Sequence, residues 1–157
     1  MQNEISYQEL VQFLRGVAGF REIDPTVIET RIIPMLSVVT YQTGDQILRR
    51  NHDNGTLYLL RDGQIRVEVP TAGEPRPVIL KAGAILGEMS LVSNKPAAAN
   101  VFAHTDATLL TLDVETFRDL MQENVEMTRS FAFGMQGLQQ GRQKRVAVQP
   151  LQDGGQG

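Results

Sequence analysis

The stretch ILGEMSLVSNKPAAANVFA, residues 85–103, decides the fold. It begins with Gly87-Glu88 and one short helical turn, passes a proline, and ends in small residues that lead into an apolar strand. Small and exposed backbone of this kind commonly cradles a phosphate. Such a cradle normally includes a cation, yet Ala97 stands where an arginine is expected. The stretch therefore indicates either a ligand site or the shell of one.

The composition limits the possible functions. The chain has 157 residues, of which 41% are hydrophobic and 21% are charged, as expected for one soluble globular domain. A net charge of −3 gives no general attraction to nucleic acid or to an anionic membrane. There is no cysteine, and His52 and His104 lack metal-ligand spacing. Neither a signal peptide nor a membrane-spanning run is present. We expect a cytoplasmic protein that is not an enzyme and does not insert into membranes.

Two short helices are predicted before the strands. The first covers residues 5–16, with apolar residues on one face and Ser6 as its N-cap. The second begins at Asp24-Pro25, where a capping residue is followed by proline, and runs to about Ile33.

Short apolar runs separated by turn residues predict a sandwich or barrel of antiparallel strands between Leu36 and Leu112. Residues 56–69 are the clearest case, because their second half alternates strictly between apolar and polar side chains. Asp62-Gly63 lies between two apolar runs and predicts a two-residue type I′ hairpin. Further strands are predicted at 37–41, 46–50, 77–81, 98–104 and 107–112.

The helical period returns after Asp113, which is a good N-cap. Apolar and small residues then recur at spacings of three and four, which predicts a long C-terminal helix. We expect its first half to pack on the strands and its second half to contact another protein or a second copy of the chain. The residues predicted for that contact are Met127, Phe131, Gly134 and Leu138, and residues 142–157 are predicted to be a disordered tail.

This order of elements resembles the cyclic nucleotide-binding domain family, which includes the sensor domains of Crp/Fnr-type transcription factors and the regulatory parts of cyclic-AMP-dependent kinases and gated channels. The resemblance implies a mainly β fold: an eight-stranded antiparallel β-roll or jelly roll with N-terminal helices and a long C-terminal helix. We expect this domain over residues 18–141, after an N-terminal helix within residues 1–17. The resemblance rests on GFREIDPTVIETRIIPML (19–36), YQTGDQIL (41–48), LYLLRDGQIRV (57–67) and KAGAILGEMSLVSNKPAAANVFA (81–103).

The last of these segments resembles the phosphate-binding cassette of the family, G-x-x-F-G-E-x-x-L-…-P-R-x-A-x-V, and its spacing agrees throughout. The resemblance implies that Glu88 accepts the ribose 2′-hydroxyl of a cyclic nucleotide and that Gly87 lets the backbone turn closely beneath the ribose. Met89 and Ser90 would offer amides at the start of the short helix. Without the motif, the favoured interpretation of Glu88 is a solvated turn carboxylate.

The cassette departs from the family pattern at the phosphate contact. Ala97 occupies the position of the arginine that pairs with the phosphate, and Ala98 lacks a hydroxyl that often adds a contact. Losing such a charge pair removes about 2–5 kcal/mol of binding. Micromolar affinity would then become roughly tens of micromolar to millimolar. Lys95 is the alternative source of positive charge.

Two functions remain open at this point. The first is a non-enzymatic regulatory or assembly module that acts through protein–protein contacts, with cAMP or cGMP binding weakened or lost. The second is a sensor that binds a cyclic nucleotide or another small ligand and signals through the C-terminal helix. A DNA-binding regulator is disfavoured by the acidic charge balance and by the end of the chain at Gly157, without a helix-turn-helix after the long helix.

Overall fold

The computed structural model describes residues 6–88 and 95–136. Within these ranges eight strands form two four-stranded antiparallel sheets, which confirms the predicted roll. The strands are β1 (Ser37–Tyr41), β2 (Gln46–Leu48), β3 (Thr56–Asp62), β4 (Ile65–Val69), β5 (Arg76–Leu80), β6 (Ile85–Leu86), β7 (Asn100–Ala103) and β8 (Ala107–Asp113). The helix-side sheet has the order β1-β8-β3-β6, and the outer sheet has the order β2-β7-β4-β5.

The predicted hairpin at Asp62-Gly63 is wrong. β3 pairs with β6 and β8 in the helix-side sheet, whereas β4 pairs with β5 and β7 in the outer sheet. A type I′ turn needs positive φ at both central residues, but of this pair only Gly63 has it, at 93°. A Cβ at Gly63 would lie 2.9 Å from the Cα of Ala107. Glycine is therefore required for a close crossing between the two sheets, not for a hairpin.

The N-terminal helices begin where the capping residues predict. Helix α1 (Tyr7–Arg15) starts after Ser6, whose side chain accepts a hydrogen bond from the Glu9 N–H at 3.1 Å, while the Glu9 carboxylate accepts from the Ser6 N–H at 3.3 Å. Asp24 caps the second segment by accepting from the Thr26 N–H at 2.8 Å. That segment consists of α2 (Pro25–Val27), a π-helical turn (Ile28–Ile32) and a 3-10 turn (Ile33–Met35).

The structure refines the prediction of one long C-terminal helix. Helix α3 (Val114–Glu123) is capped by Asp113 as predicted, but it ends at Asn124, whose backbone is extended. The Asn124 side-chain oxygen accepts a hydrogen bond from the Met127 N–H at 2.9 Å and so starts a new helix. This helix, α4, is helical over residues 125–136 in the described part of the chain.

Buried side chains form two clusters, one on each face of the helix-side sheet. The alternation of β3 explains the division, because Leu57 and Leu59 point toward the helices, whereas Tyr58 and Leu60 point between the sheets. The helix-side cluster includes Leu14, Phe20, Leu59, Leu110, Phe117 and Phe131, and the inner cluster includes Ile47, Leu60, Ile65, Leu86, Ala97 and Leu109.

Helix α1 belongs to the helix-side cluster through Val11 and Leu14. Its Tyr7 hydroxyl also donates a hydrogen bond to the Glu29 carbonyl at 2.6 Å. The N-terminal helix therefore shares a core with the β-roll. The domain boundary after residue 17 remains a prediction, and the predicted tail at 142–157 lies outside the described residues.

Candidate functional site

The candidate site begins at Gly87, directly after β6. Its φ of +82° lies in the left-handed region that favours glycine. A Cβ at this position would collide with the Thr56 carbonyl oxygen and would lie 2.6 Å from Nδ2 of Asn54. Asn54 is held in place because its Nδ2 donates to that same carbonyl at 2.6 Å. Gly87 therefore lets the cassette backbone pass closely over residues 54–56.

Glu88 follows at the first residue of a helical turn, and it is only 6% exposed. Among the residues that the structure describes, it is the one buried charged or polar side chain. Burying a carboxylate is costly unless polar groups surround it. This burial overturns the interpretation of Glu88 as a solvated turn residue and agrees with a position in a site. Met89 and Ser90, which were predicted to contribute amides, lie outside the described residues.

Ala97 is 9% exposed and belongs to the inner cluster. Its N–H donates to the His52 carbonyl at 3.2 Å, and its carbonyl accepts from the Asn51 N–H at 2.9 Å. Asn51 has a φ of 69°, a left-handed conformation that Asn adopts more readily than most residues. These bonds attach the end of the cassette to the connection between β2 and β3, residues 49–55, which we call the β2–β3 turn. The sequence analysis did not find this contact.

The other predicted cassette residues lie on the surface. Lys95 and Ala98 are both exposed, so neither places its side chain in the interior of the roll beside Ala97. Within residues 6–88 and 95–136 no lysine or arginine side chain is buried. In the described part of the chain, Glu88 is thus the only buried ionisable group at the site.

Two tyrosines that the sequence analysis missed add polar groups to the inner cluster. Tyr41 at the end of β1 and Tyr58 in β3 are half-buried and pack against this cluster. Burial, together with the adjacent Tyr58 hydroxyl to which it is hydrogen-bonded, raises the pKa of Tyr41 to about 12. Tyr41 therefore stays neutral at physiological pH. The alternation along β3 was the available signal, because it directs Tyr58 to the same side as Leu60.

The structure corrects the prediction that Met127 and Phe131 contact a partner. Both side chains are buried, Phe131 to 3% exposure. The Phe131 ring centroid lies 5.3 Å from that of Phe20 and 5.1 Å from that of Phe117, with near-perpendicular ring planes. Edge-to-face packing of this kind is favourable. The contacts of Phe131 therefore lie within the chain.

Gly134 is likewise used inside the chain. A Cβ there would lie 2.7 Å from the Cα of Gly19, so the absence of a side chain lets α4 touch the segment that follows α1. Leu138 lies outside the described residues. The exposed apolar side chains of α4 are instead Val125 and Phe133, at 64% and 70% exposure.

The described residues contain neither a candidate metal site nor a candidate membrane-spanning helix. No group of histidine, aspartate and glutamate side chains within residues 6–88 and 95–136 could hold a metal ion. In the same ranges no helix has the length and apolarity that crossing a bilayer requires.

Comparison with known proteins agrees with the geometry. The family model for the cyclic nucleotide-binding domain matches residues 38–124. The chain is 29% identical over 143 residues to human cGMP-dependent protein kinase 2, which covers 88% of this chain and 19% of the kinase. It is 30% identical over 120 residues to a cyclic nucleotide-gated potassium channel of Mesorhizobium japonicum, covering 76% of this chain and 32% of the channel. The chain thus spans less than a third of each of these relatives.

A solved structure shows the shared fold. The cyclic nucleotide-binding domain from Methylobacillus flagellatus superposes with a TM-score of 0.78 at 15% identity, and the match covers 94% of this chain and 83% of that one.

Proposed function

Because the chain belongs to the cyclic nucleotide-binding domain family, we propose that it is a non-enzymatic, cytoplasmic regulatory module in which cAMP or cGMP binding is weakened or lost and which acts through contacts with another protein. One observation carries the proposal. In the sequence Ala97 aligns with the arginine of the family cassette, and its buried methyl group belongs to the inner cluster. A methyl group offers neither charge nor hydrogen bonds to a phosphate.

The remaining charge at the site supports this proposal. Glu88 is buried, and no lysine or arginine is buried in the described part of the chain. With alanine at position 97, an incoming phosphate lacks the guanidinium that would offset the like charge of the Glu88 carboxylate, which disfavours the complex. Without the guanidinium, which binds phosphate through two parallel hydrogen bonds, about 2–5 kcal/mol of affinity is lost.

Calorimetric titration of cAMP and cGMP into the native chain and Ala97→Arg tests the ligand half of the proposal. We expect native dissociation constants of roughly tens of micromolar to millimolar, and an affinity for the variant that is higher by about 30-fold to a few thousand-fold. Ala132→Arg is the matched control, because it adds the same side chain at an exposed alanine of α4 outside the cassette, and it should bind as the native chain does. Low-micromolar binding by the native chain would contradict the proposal.

Helix α4 is the surface that we assign to the protein contact. Val125 and Phe133 leave large apolar side chains exposed there, and exposed aromatic residues are common anchors in protein interfaces. Light scattering of native protein, Phe133→Asp and the neighbouring control Ala132→Asp tests self-association. If two copies meet through α4, Phe133→Asp alone should reduce the mass. A native monomer would refute self-association and assign the surface to a different protein.

A second function is favoured by the preserved half of the cassette. Gly87 keeps its left-handed turn, and Glu88 is buried as a ligand-facing residue would be. A sensor would bind a cyclic nucleotide or another small ligand there and change the position of α4. Limited proteolysis with and without cAMP distinguishes the two functions, since only a sensor changes its cleavage in α4 at saturating ligand.

A further inference from the structure

We propose that the β2–β3 turn supplies the cationic contact for an anionic ligand at this site, with Arg50 and His52 in place of the side chain that Ala97 lacks. The ligand class is a small phosphate-bearing molecule such as a cyclic nucleotide. The inference rests on the second of the two proposed functions, ligand binding at the cassette, since it takes the position of the ligand from there. It adds residues that the cassette motif does not contain.

The turn lies directly against the phosphate-binding position. The Ala97 N–H donates to the His52 carbonyl at 3.2 Å, and the Asn51 N–H donates to the Ala97 carbonyl at 2.9 Å. Residues bonded in this way across two chain segments have Cα atoms about 5–6 Å apart. His52 is therefore a spatial neighbour of Ala97, although the two are far apart in sequence.

Further hydrogen bonds fix the turn in this position. The Arg50 N–H donates to Oδ1 of Asn100 at 2.8 Å, and the same oxygen accepts from Nε2 of Gln46 at 3.2 Å. Asn100 is the first residue of β7, so the turn is attached both to the cassette and to the outer sheet. The backbone that carries these side chains therefore has a defined location relative to Ala97, which lowers the entropic cost of placing a cation against a ligand.

The charges of the turn suit an anion. Arg49, Arg50 and His52 are exposed, and in the part of the chain that the structure describes none of them forms an ion pair. Asp53 is the acidic residue of the turn and offsets one of the two guanidinium charges. Arginine binds phosphate oxygens in a bidentate manner, and a histidine can add a further N–H donor. The turn, whose backbone is bonded to Ala97, thus carries the kinds of donor that the cassette lacks.

Titration of cAMP into full-length native protein, Arg50→Gln/His52→Gln and Arg50→Lys by calorimetry at low and high salt tests the inference. The double variant should bind roughly tenfold more weakly, with a smaller salt dependence, while Arg50→Lys should retain most of the affinity. Arg129→Gln is the matched control, because it removes one exposed positive charge from α4, and it should bind as the native chain does. Since the substituted side chains are exposed, urea unfolding should be the same for all four proteins.

Each outcome separates this inference from the proposed function. Weak native binding that the double variant leaves unchanged overturns the inference and supports the weakened site. The absence of any native binding also overturns it. Low-micromolar native binding that the double variant loses supports the inference and refutes the weakened site.

Discussion

The two faces of the helix-side sheet carry clusters of different chemistry. On the helix side, the rings of Phe20, Phe117 and Phe131 meet with centroids 5.1–5.7 Å apart, and none of the buried members of this cluster in the described chain is polar. Between the sheets, small side chains such as Ala97 alternate with aliphatic ones, and the hydroxyl-bearing Tyr41 and Tyr58 pack against them. The helix-side cluster is therefore an apolar core with large aromatic rings, whereas the inner cluster has smaller side chains and two hydroxyl groups packed against it.

The packed rings of the helix-side cluster should tolerate few substitutions without loss of stability, because protein interiors are close-packed. The inner cluster contains Ala97 at the end of the cassette, and Gly87 and Glu88 lie at the start of the same segment. Ala97, on which the proposed function rests, therefore lies in the inner cluster and apart from the helix-side packing.

Truncating Phe131 should have the largest effect, since it breaks the helix-side cluster. Phe131→Ala removes a buried ring from between Phe20 and Phe117 and should lower the free energy of unfolding by about 3–5 kcal/mol. Phe133→Ala is the matched control on the same helix and should change it by less than about 0.5 kcal/mol. Urea denaturation measures both. Equal losses for the two variants would show that the two rings do not differ in burial.

The contact between Gly134 and Gly19 should be the next most sensitive point. In Gly134→Ala the new methyl group would lie 2.7 Å from the Cα of Gly19, a backbone atom that cannot rotate away. Overpacking costs about 1–3 kcal/mol, and the higher helix propensity of alanine returns up to about 1 kcal/mol. We expect a net loss of about 1–2 kcal/mol by urea denaturation. Gly55→Ala, where a methyl group meets open space, should be neutral or slightly stabilising, and a similar loss there would contradict the steric argument.

Local signals in the sequence predicted the helix starts and the cassette, because both depend on residues close together in the chain. Ser6 and Asp113 cap helices through their own neighbours, and the spacing from Gly87 to Ala97 is a property of one segment. Short apolar runs between turn residues predicted most of the strands, although not β6 (Ile85–Leu86). The fold class was predictable for the same reason, since the segments occur in a recognisable order.

Contacts between distant segments were not predictable. Asp62-Gly63 has the composition of a hairpin turn, but the sequence does not say whether the flanking strands pair. The stripe through Phe131 suits either a partner or the core of the chain, and only the position of Phe20 decides between them. The β2–β3 turn was missed because its bonds to Ala97 join remote parts of the chain.

Substitution of Asp113 tests how much the N-cap of α3 contributes to stability. Asp113→Ala should cost about 1 kcal/mol at neutral pH, while Asp113→Asn, which keeps a capping oxygen, should cost much less. Hydrogen bonds from the Thr116 N–H and hydroxyl lower the pKa of Asp113. The ionised cap therefore stabilises the fold above the ordinary aspartate pKa and loses its effect as the pH falls through the lowered value. Thermal unfolding at a series of pH values should show native and Asp113→Ala converging in acid. A constant difference would contradict the assignment to the carboxylate.

The smallest effect should come from the inner cluster, which tolerates change because its polar pair is only half-buried. Tyr58→Phe removes the hydroxyl beside Tyr41 and should cost about 0.5 kcal/mol, the low end for a hydrogen bond. The pKa of Tyr41, about 12 in the native chain, should fall but stay above that of a free tyrosine, because burial is the larger cause of its shift. Ultraviolet titration of tyrosinate measures this change. The titration step at the highest pH belongs to Tyr41 if it is absent from Tyr41→Phe.

The same pair makes an alkaline prediction with a definite sign. The folded chain holds the Tyr41 proton more tightly than the unfolded chain, so the contribution is complete below the unfolded pKa near 10 and is lost as the pH rises toward 12. Native protein should therefore lose stability over this interval more steeply than Tyr41→Phe. If the two proteins lose stability in parallel, Tyr41 ionises as freely as an exposed phenol. The inner cluster would then admit water more readily than the half-buried position of Tyr41 indicates, unlike the helix-side cluster.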